Sequence, residues 1–201
     1  MRQADGFTDV PLGKIATVVT HLEMTERPAE RAAPDLPGLV LEKVTEPDPE
    51  AYRALYLAVG GLPWMWFSRM ALSTDALMTI LRDQHVEILV LRDGDRAVGL
   101  LELDYRESAV CEIAFLGLVP DAVGQGAGRY LMNIALTRAW AKEGISRVWV
   151  HTCTLDHPSA LGFYIRSGFT PIRQQIEVAD DPRLSGVLPR HAAPHVPIFC
   201  P

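Results

Sequence analysis

The chain has 201 residues, 48% hydrophobic and 22% charged, a composition that fits one globular domain with a sizeable core and excludes a disordered or fibrous chain. With 25 acidic residues against 19 basic ones the formal net charge is −6, which argues against nucleic acid as a partner and is compatible with a cationic substrate such as an amine. No run approaches the roughly 18 apolar residues of a membrane span. KIATVVTHL is too short and too interrupted by His21 to be a signal peptide, and Cys111, Cys153 and Cys200 read as reduced thiols, so a cytoplasmic protein without membrane attachment is expected.

Residues 1–37 carry Pro11, Pro28, Pro34 and Pro37 without a sustained period and are predicted to form a loosely ordered N-terminal leader. A domain over residues 38–179 follows. GLVLEKV alternates as a strand, and PDPEAYRALYLAVGG is a helix entered through Asp48 and Pro49 and stopped by Gly60 and Gly61. LPWMWFSRM connects it to STDALMTILRDQ, a second helix with Ser73 as N-cap. HVEILVLR, AVGLLELDY and AVCEIAFLGLV are β-rich runs, the first two joined by a hairpin at Asp93-Gly94. After a glycine-rich loop, RYLMNIALTRAWAKEG carries an apolar helical face from Leu131 to Trp140 and stops at Gly144. ISRVWVHT is a strand, HPSALGFYIRSG a short helix and FTPIRQQIEV a last strand. Residues 180–201 are Pro-rich and are expected to pack on the domain, with HVPIF as a candidate edge strand. This order predicts an α/β fold: a single domain with a mixed sheet of about six to seven strands and flanking helices.

The loop itself, VPDAVGQGAGRY, sets Gly124, Gly126 and Gly128 between a strand and a helix N-terminus. First-turn amides have no intrahelical acceptor, the helix dipole favours negative charge there, and glycine lets phosphate oxygens reach the backbone without meeting a Cβ. A dinucleotide fingerprint requires G-x-G-x-x-G and a P-loop requires Gly-Lys, and the loop has neither. An ordinary glycine-rich turn is the plainer alternative.

LGLVPDAVGQGAGRYLM and HPSALGFYIRSGF together resemble the two signature elements of the GNAT superfamily, the acyl-CoA-dependent N-acyltransferases, and the resemblance covers about residues 39 to 178. It implies a GNAT-like fold and acetyl-CoA as acyl donor, with no metal. By position it places Gly124, Gln125, Gly126, Ala127, Gly128 and Arg129 around the coenzyme A pyrophosphate and Leu116 and Leu118 beside pantetheine. Two positions depart from the family pattern: Val123 stands where Gln or Arg is usual, and His157 stands where Asn is usual, still able to hydrogen-bond to the cofactor.

Acyl transfer to an amine needs a base to take the amine proton and an acid to protonate the leaving thiolate. The resemblance implies Glu112 as base, with Glu102 and Asp104 in reserve, and Tyr164 as acid. A solvent-facing strand glutamate and a packing tyrosine are the alternatives. HTCTLDHP raises a metal site or a Cys–His nucleophile from His151, Cys153 and His157, against the plainer reading that thiol and imidazole line the acyl pocket. Trp64, Trp66 and Arg69 are candidate acceptor-binding residues, the tryptophans gripping an amine and Arg69 a carboxylate, unless the tryptophans are core packing. The expected function is transfer of an acetyl group from acetyl-CoA to a primary amine of a small molecule or protein by direct transfer. A non-catalytic acyl-CoA-binding regulatory module and an unrelated nucleotide-binding domain are the alternatives. Oligomeric state stays open, a homodimer included.

Overall fold

The computed structural model describes residues 5–201 except Glu30 and Ala33. Among the described residues seven strands form one sheet in the order β2-β3-β4-β5-β6-β1-β7. They are β1 (Lys14–Met24), β2 (Leu39–Lys43), β3 (Val86–Asp93), β4 (Arg96–Asp104), β5 (Val110–Leu118), β6 (Arg147–Cys153) and β7 (Thr170–Asp180). Helices α1 (Pro49–Tyr56), α2 (Leu62–Trp64), α3 (Thr74–Leu81), α4 (Ala127–Ala141) and α5 (Ala160–Arg166) flank it. All pairings are antiparallel except β5 with β6. The mixed sheet and flanking helices are those expected.

Local chemistry explains the framework elements. Asp48 caps α1 by accepting from the Glu50 amide at 2.9 Å, with Pro49 opening the helix, and Ser73 caps α3 by accepting from the Ala76 amide at 3.2 Å. Gly94 takes φ +56° between Asp93 and Arg96, a two-residue β3–β4 turn that the adjacent Asp-Gly pair favours. Helix α4 buries Leu131, Met132, Ala135, Leu136 and Ala139 against the sheet, and a continuous core joins these to β3, β4 and β5.

Three expectations require correction. The segment read as a loose leader contains β1, which pairs antiparallel with β6 on one side and β7 on the other. Its β-branched run alternates between a buried face (Ile15, Thr17, Val19) and an exposed one (Ala16, Val18), as a sheet demands. Gly60 and Gly61 do not stop the first helix: the chain continues as a π-helical turn, Leu57–Gly61, into α2, which ends at Met65 with φ 64°. Both glycines are there for close approach, since a Cβ on Gly60 would lie 1.9 Å from the Trp66 ring. HVPIF forms no strand. The tail is instead organised by Arg183, buried and ion-paired with Asp181 at 2.7 Å, which also donates to the carbonyls of Ala192, Ala193, Val196 and Pro197. Leu188, Ala192 and Ala193 then cover Ile15 of β1 together with Met65.

Candidate active site

Strands β5 and β6 stay paired only through Val110–Arg147, Cys111–Val148 and Glu112–Trp149. Beyond that point they part, because β5 remains bonded to β4 as far as Leu118 while β6 remains bonded to β1 as far as Cys153. β5 also carries a bulge between Ile113 and Phe115, where its register against β4 shifts by one residue. The gap opens into a cavity of about 560 Å³. Main-chain groups on the β6 side of β5 past Glu112 therefore have no strand partner and face the cavity.

One wall is the glycine loop. After a short 3₁₀ turn, Pro120–Ala122, held by a double hydrogen bond from Arg96 to Asp121 at 2.6 and 2.9 Å, Gly124 and Gly126 both adopt φ +92°, which a side chain would disfavour. The first α-helical bond runs from the Tyr130 amide to the Gly126 carbonyl at 3.1 Å, so the Ala127, Gly128 and Arg129 amides have no intrahelical acceptor. Gly124, Gly126, Gly128, Arg129, Leu116 and Leu118 all line the cavity. Ala127 is buried behind them, and Gln125 turns its amide to the Asp121 carbonyl at 3.4 Å. Val123 also lines the cavity and is exposed, so it adds no polar group to the loop. The β1–β2 connection crosses this wall: Pro34 abuts Gly126, whose Cβ would lie 2.3 Å from the proline ring, and Arg31, fixed by its contact with the Arg166 carbonyl at 2.5 Å, joins the cavity lining.

The opposite wall comes from the α1–α3 connection and from the end of β6. Trp66 packs on Tyr56 and Phe115, in space left by Gly60 and Gly117. Its indole N–H donates to Asp156 Oδ1 at 2.8 Å, while Asp156 Oδ2 accepts from the Thr152 hydroxyl at 2.7 Å and the Cys153 amide at 2.8 Å. Trp64 lies edge-on to His157 at 4.9 Å, and His157 Nδ1 accepts from the Ser159 amide at 3.1 Å. Tyr164 of α5 lines the cavity from the buried side, and burial, with a further contribution from Asp156, raises its hydroxyl pKa well above the ordinary tyrosine value.

The predicted base is displaced. Glu112 does not line the cavity; it stands behind His151, which does, with His151 Nδ1 3.6 Å from Glu112 Oε1. The two belong to the last paired positions and the first parted ones, so the carboxylate stays at the closed end while the imidazole reaches the throat. Arg69 is likewise withdrawn. Its guanidinium is 2.6 Å from Glu102 Oε1 beneath the Phe115 ring, and the fully buried Glu102 also accepts from the Tyr52 hydroxyl at 2.5 Å. Asp104 is held by Arg106. A buried carboxylate requires such partners, which is why neither reserve acid is free and Arg69 cannot grip a ligand carboxylate.

Burial, with Asp156 nearby, raises the Cys153 thiol pKa, so it is not an activated nucleophile. Among the described residues no three His, Cys, Asp or Glu side chains converge as metal ligands. The sequence pattern left Asp156 and Arg31 unassigned. An aspartate three residues past the end of a strand is a turn acceptor and could have pointed to Asp156, whereas nothing local marks Arg31.

Residues 49–169 match the model of the acetyltransferase (GNAT) family. Several solved structures share the fold. A GCN5-related N-acetyltransferase from Sphaerobacter thermophilus superposes with a TM-score of 0.60 at 14% identity, over 87% of this chain and 53% of its own. A GCN5-related N-acetyltransferase from Kribbella flavida gives 0.51 at 18% identity, over 87% and 63%. An aminoglycoside acetyltransferase from an uncultured soil metagenomic sample gives 0.51 at 21% identity, over 65% and 88%. This chain thus spans between about half and two thirds of the length of the first two. No curated protein sequence matches it. No helix among the described residues is long and apolar enough to cross a membrane.

Proposed function

The chain belongs to the acetyltransferase (GNAT) family, and we propose that it moves an acetyl group from acetyl-CoA to a primary amine of a small molecule or protein by direct attack in a ternary complex. The observation that carries this reading is that the glycine loop and the buried Tyr164 line one cavity at the gap between β5 and β6. The fit to the donor is of the right kind. Amides at the start of α4 suit a pyrophosphate, and unpaired main chain along β5 at Leu116 and Leu118 suits the amide-bearing pantetheine arm. Arg31 and Arg129 add positive charge beside the loop. When bound, the donor supplies a thioester carbonyl for attack and a thiolate leaving group.

The chain's own residues do the rest. Trp64 and Trp66 shape the acceptor side, which suits an amine carried on an apolar or cationic body. Tyr164 stays protonated and returns a proton to the departing sulfur. Calorimetric titration with coenzyme A, together with thiol release from acetyl-CoA in the presence of putrescine, phenethylamine and a lysine peptide, tests this. Binding plus amine-dependent thiol release supports transfer. Binding without release for any amine would replace it with a binding-module reading, and ATP or NAD binding without coenzyme A binding would remove both.

A further inference from the structure

We propose that His151, rather than Glu112, takes the proton from the acceptor amine, and that Glu112 is the residue that positions it. The inference rests on the acetyl-transfer reading above and adds the identity of its proton acceptor. Position comes first: the last paired residue of β6 is Trp149, so Val150 and His151 are the first residues beyond the point where the strands part. His151 lines the cavity there, whereas Glu112 does not.

Orientation comes second. Glu112 Oε1 lies 3.6 Å from Nδ1 of His151, which favours the tautomer with its hydrogen on Nδ1 and leaves Nε2 as the proton-accepting nitrogen of the ring. The ring is steadied by neighbours on the same face: Trp149 and His21 each stand 5.8 Å from it, and His21 is tied to Gln175 of β7 at 2.8 Å. Such packing fixes a general base in one rotamer.

Chemistry comes third. The charged and titratable groups facing His151 are Glu112 on β5, His21 on β1, Asp156 after β6 and Glu177 on β7, with Arg173 of β7 acting on His21 at 3.5 Å. The acids prevail. The Glu112 carboxylate first, with Asp156 and Glu177 adding to it, raises the His151 pKa against the opposing effect of burial. Imidazole is the side chain that ordinarily titrates nearest neutral pH, and the upward shift at His151 makes it a stronger proton acceptor than a free imidazole.

The step balances. As the amine nitrogen bonds to the thioester carbon, its proton passes to His151 Nε2. The carbon–sulfur bond breaks, the sulfur takes the Tyr164 proton, and the proton on His151 returns to Tyr164 through solvent. The products are an amide and a free thiol.

The test compares wild type, His151→Gln and Glu112→Gln, using acetyl-CoA and the best amine of the panel above, with calorimetric coenzyme A binding and circular dichroism as folding controls. His151→Gln is expected to lower kcat roughly 100- to 10,000-fold, abolish the acidic limb of the pH–rate profile and leave coenzyme A binding unchanged. Glu112→Gln is expected to lose less and to move that limb to lower pH. A carbon-detected NMR titration of the His151 ring, which needs no acceptor, should show its pKa falling in Glu112→Gln. An active wild type with His151→Gln at full rate, or a His151 titration unmoved by Glu112→Gln, would overturn this proposal alone. Coenzyme A binding with no transfer by wild type would overturn the acetyl-transfer reading and this one with it.

Discussion

Trp66 and Asp156 are joined by a 2.8 Å hydrogen bond from the indole N–H to Oδ1, which ties the connection between α1 and α3 to the turn after β6. The other oxygen of the same carboxylate holds Thr152 and the Cys153 amide. Both edges of the cavity therefore depend on one side chain. Asp156→Ala should cost about 1–3 kcal/mol of unfolding free energy, because it leaves several donors without an acceptor. Trp66→Phe should cost less, and a double-mutant cycle by urea denaturation should give a favourable coupling of at least about 0.5 kcal/mol. Strict additivity would show that the bond does not join the walls.

The glycines of the loop should not be equivalent. Gly126 has both a left-handed φ and Pro34 at 2.3 Å from where a Cβ would stand, whereas Gly128 has normal φ and meets only Leu118 at 3.9 Å. Gly126→Ala should carry a backbone cost of about 1–2 kcal/mol and displace Pro34, lowering coenzyme A affinity at least tenfold. Gly128→Ala should change that affinity much less. Equal losses in calorimetric titrations would mean that loop conformation and the proline contact do not set the site.

Much of this site is legible in the sequence because its signals are local. The glycine spacing, the β3–β4 turn and Tyr164 two residues past Gly162 each follow from a few neighbouring residues. What escapes depends on distant pairing. β1 gains its meaning only when β6 and β7 take it between them, and without those partners its alternation ends at prolines on either side. Arg69 reads as a free cation because Glu102, 33 residues later, is the group that neutralises it. Glu112 and His151 lie on predicted strands, yet which of them reaches the cavity depends on the residue at which β5 and β6 separate, a property of the sheet and of neither strand alone.

Arg183 and Asp181 form an ion pair in which each side chain is only 1% exposed. Removing one partner strands a buried charge. Arg183→Met should therefore destabilise the protein by about 3–5 kcal/mol, and the carbonyls of Ala192 and Val196 lose their donor as well. A urea midpoint shifted by less than the equivalent of about 1 kcal/mol would show that the tail is not anchored through this residue.

Alkaline stability should be unusually sensitive to tyrosine. Tyr52, Tyr56, Tyr105 and Tyr164 all have raised pKa values, with burial the leading cause in each, and Tyr56 is raised to about 12. The unfolded chain releases these protons near pH 10 while the folded chain keeps them. Their contribution is thus fully present below about pH 10 and lost as pH rises towards the folded values, at up to about 1.4 kcal/mol per pH unit for each tyrosine. Thermal melts between pH 8 and 12 should show Tm falling steeply above pH 10, with Tyr52→Phe and Tyr56→Phe reducing the slope. A Tm flat across that range would contradict the burial of these hydroxyls.

Tyr164 provides the sharpest test of the leaving-group step. Its hydroxyl is un-ionised at neutral pH and sits in the wall of the cavity; burial makes it a weaker acid than a free tyrosine, so its proton moves to the sulfur only as negative charge develops there. Tyr164→Phe keeps the ring packed against Phe163 and Phe169 while deleting only the hydroxyl group. The expected result is a loss of roughly 100- to 10,000-fold in kcat with coenzyme A affinity and Tm nearly unchanged, since the interaction removed is made only as the carbon–sulfur bond breaks. A less basic leaving thiol, from a thiophenyl acetate thioester in place of acetyl-CoA, should narrow the gap between mutant and wild type. A mutant at full rate with acetyl-CoA, or an equal deficit with both donors, would show that sulfur protonation does not pass through this residue.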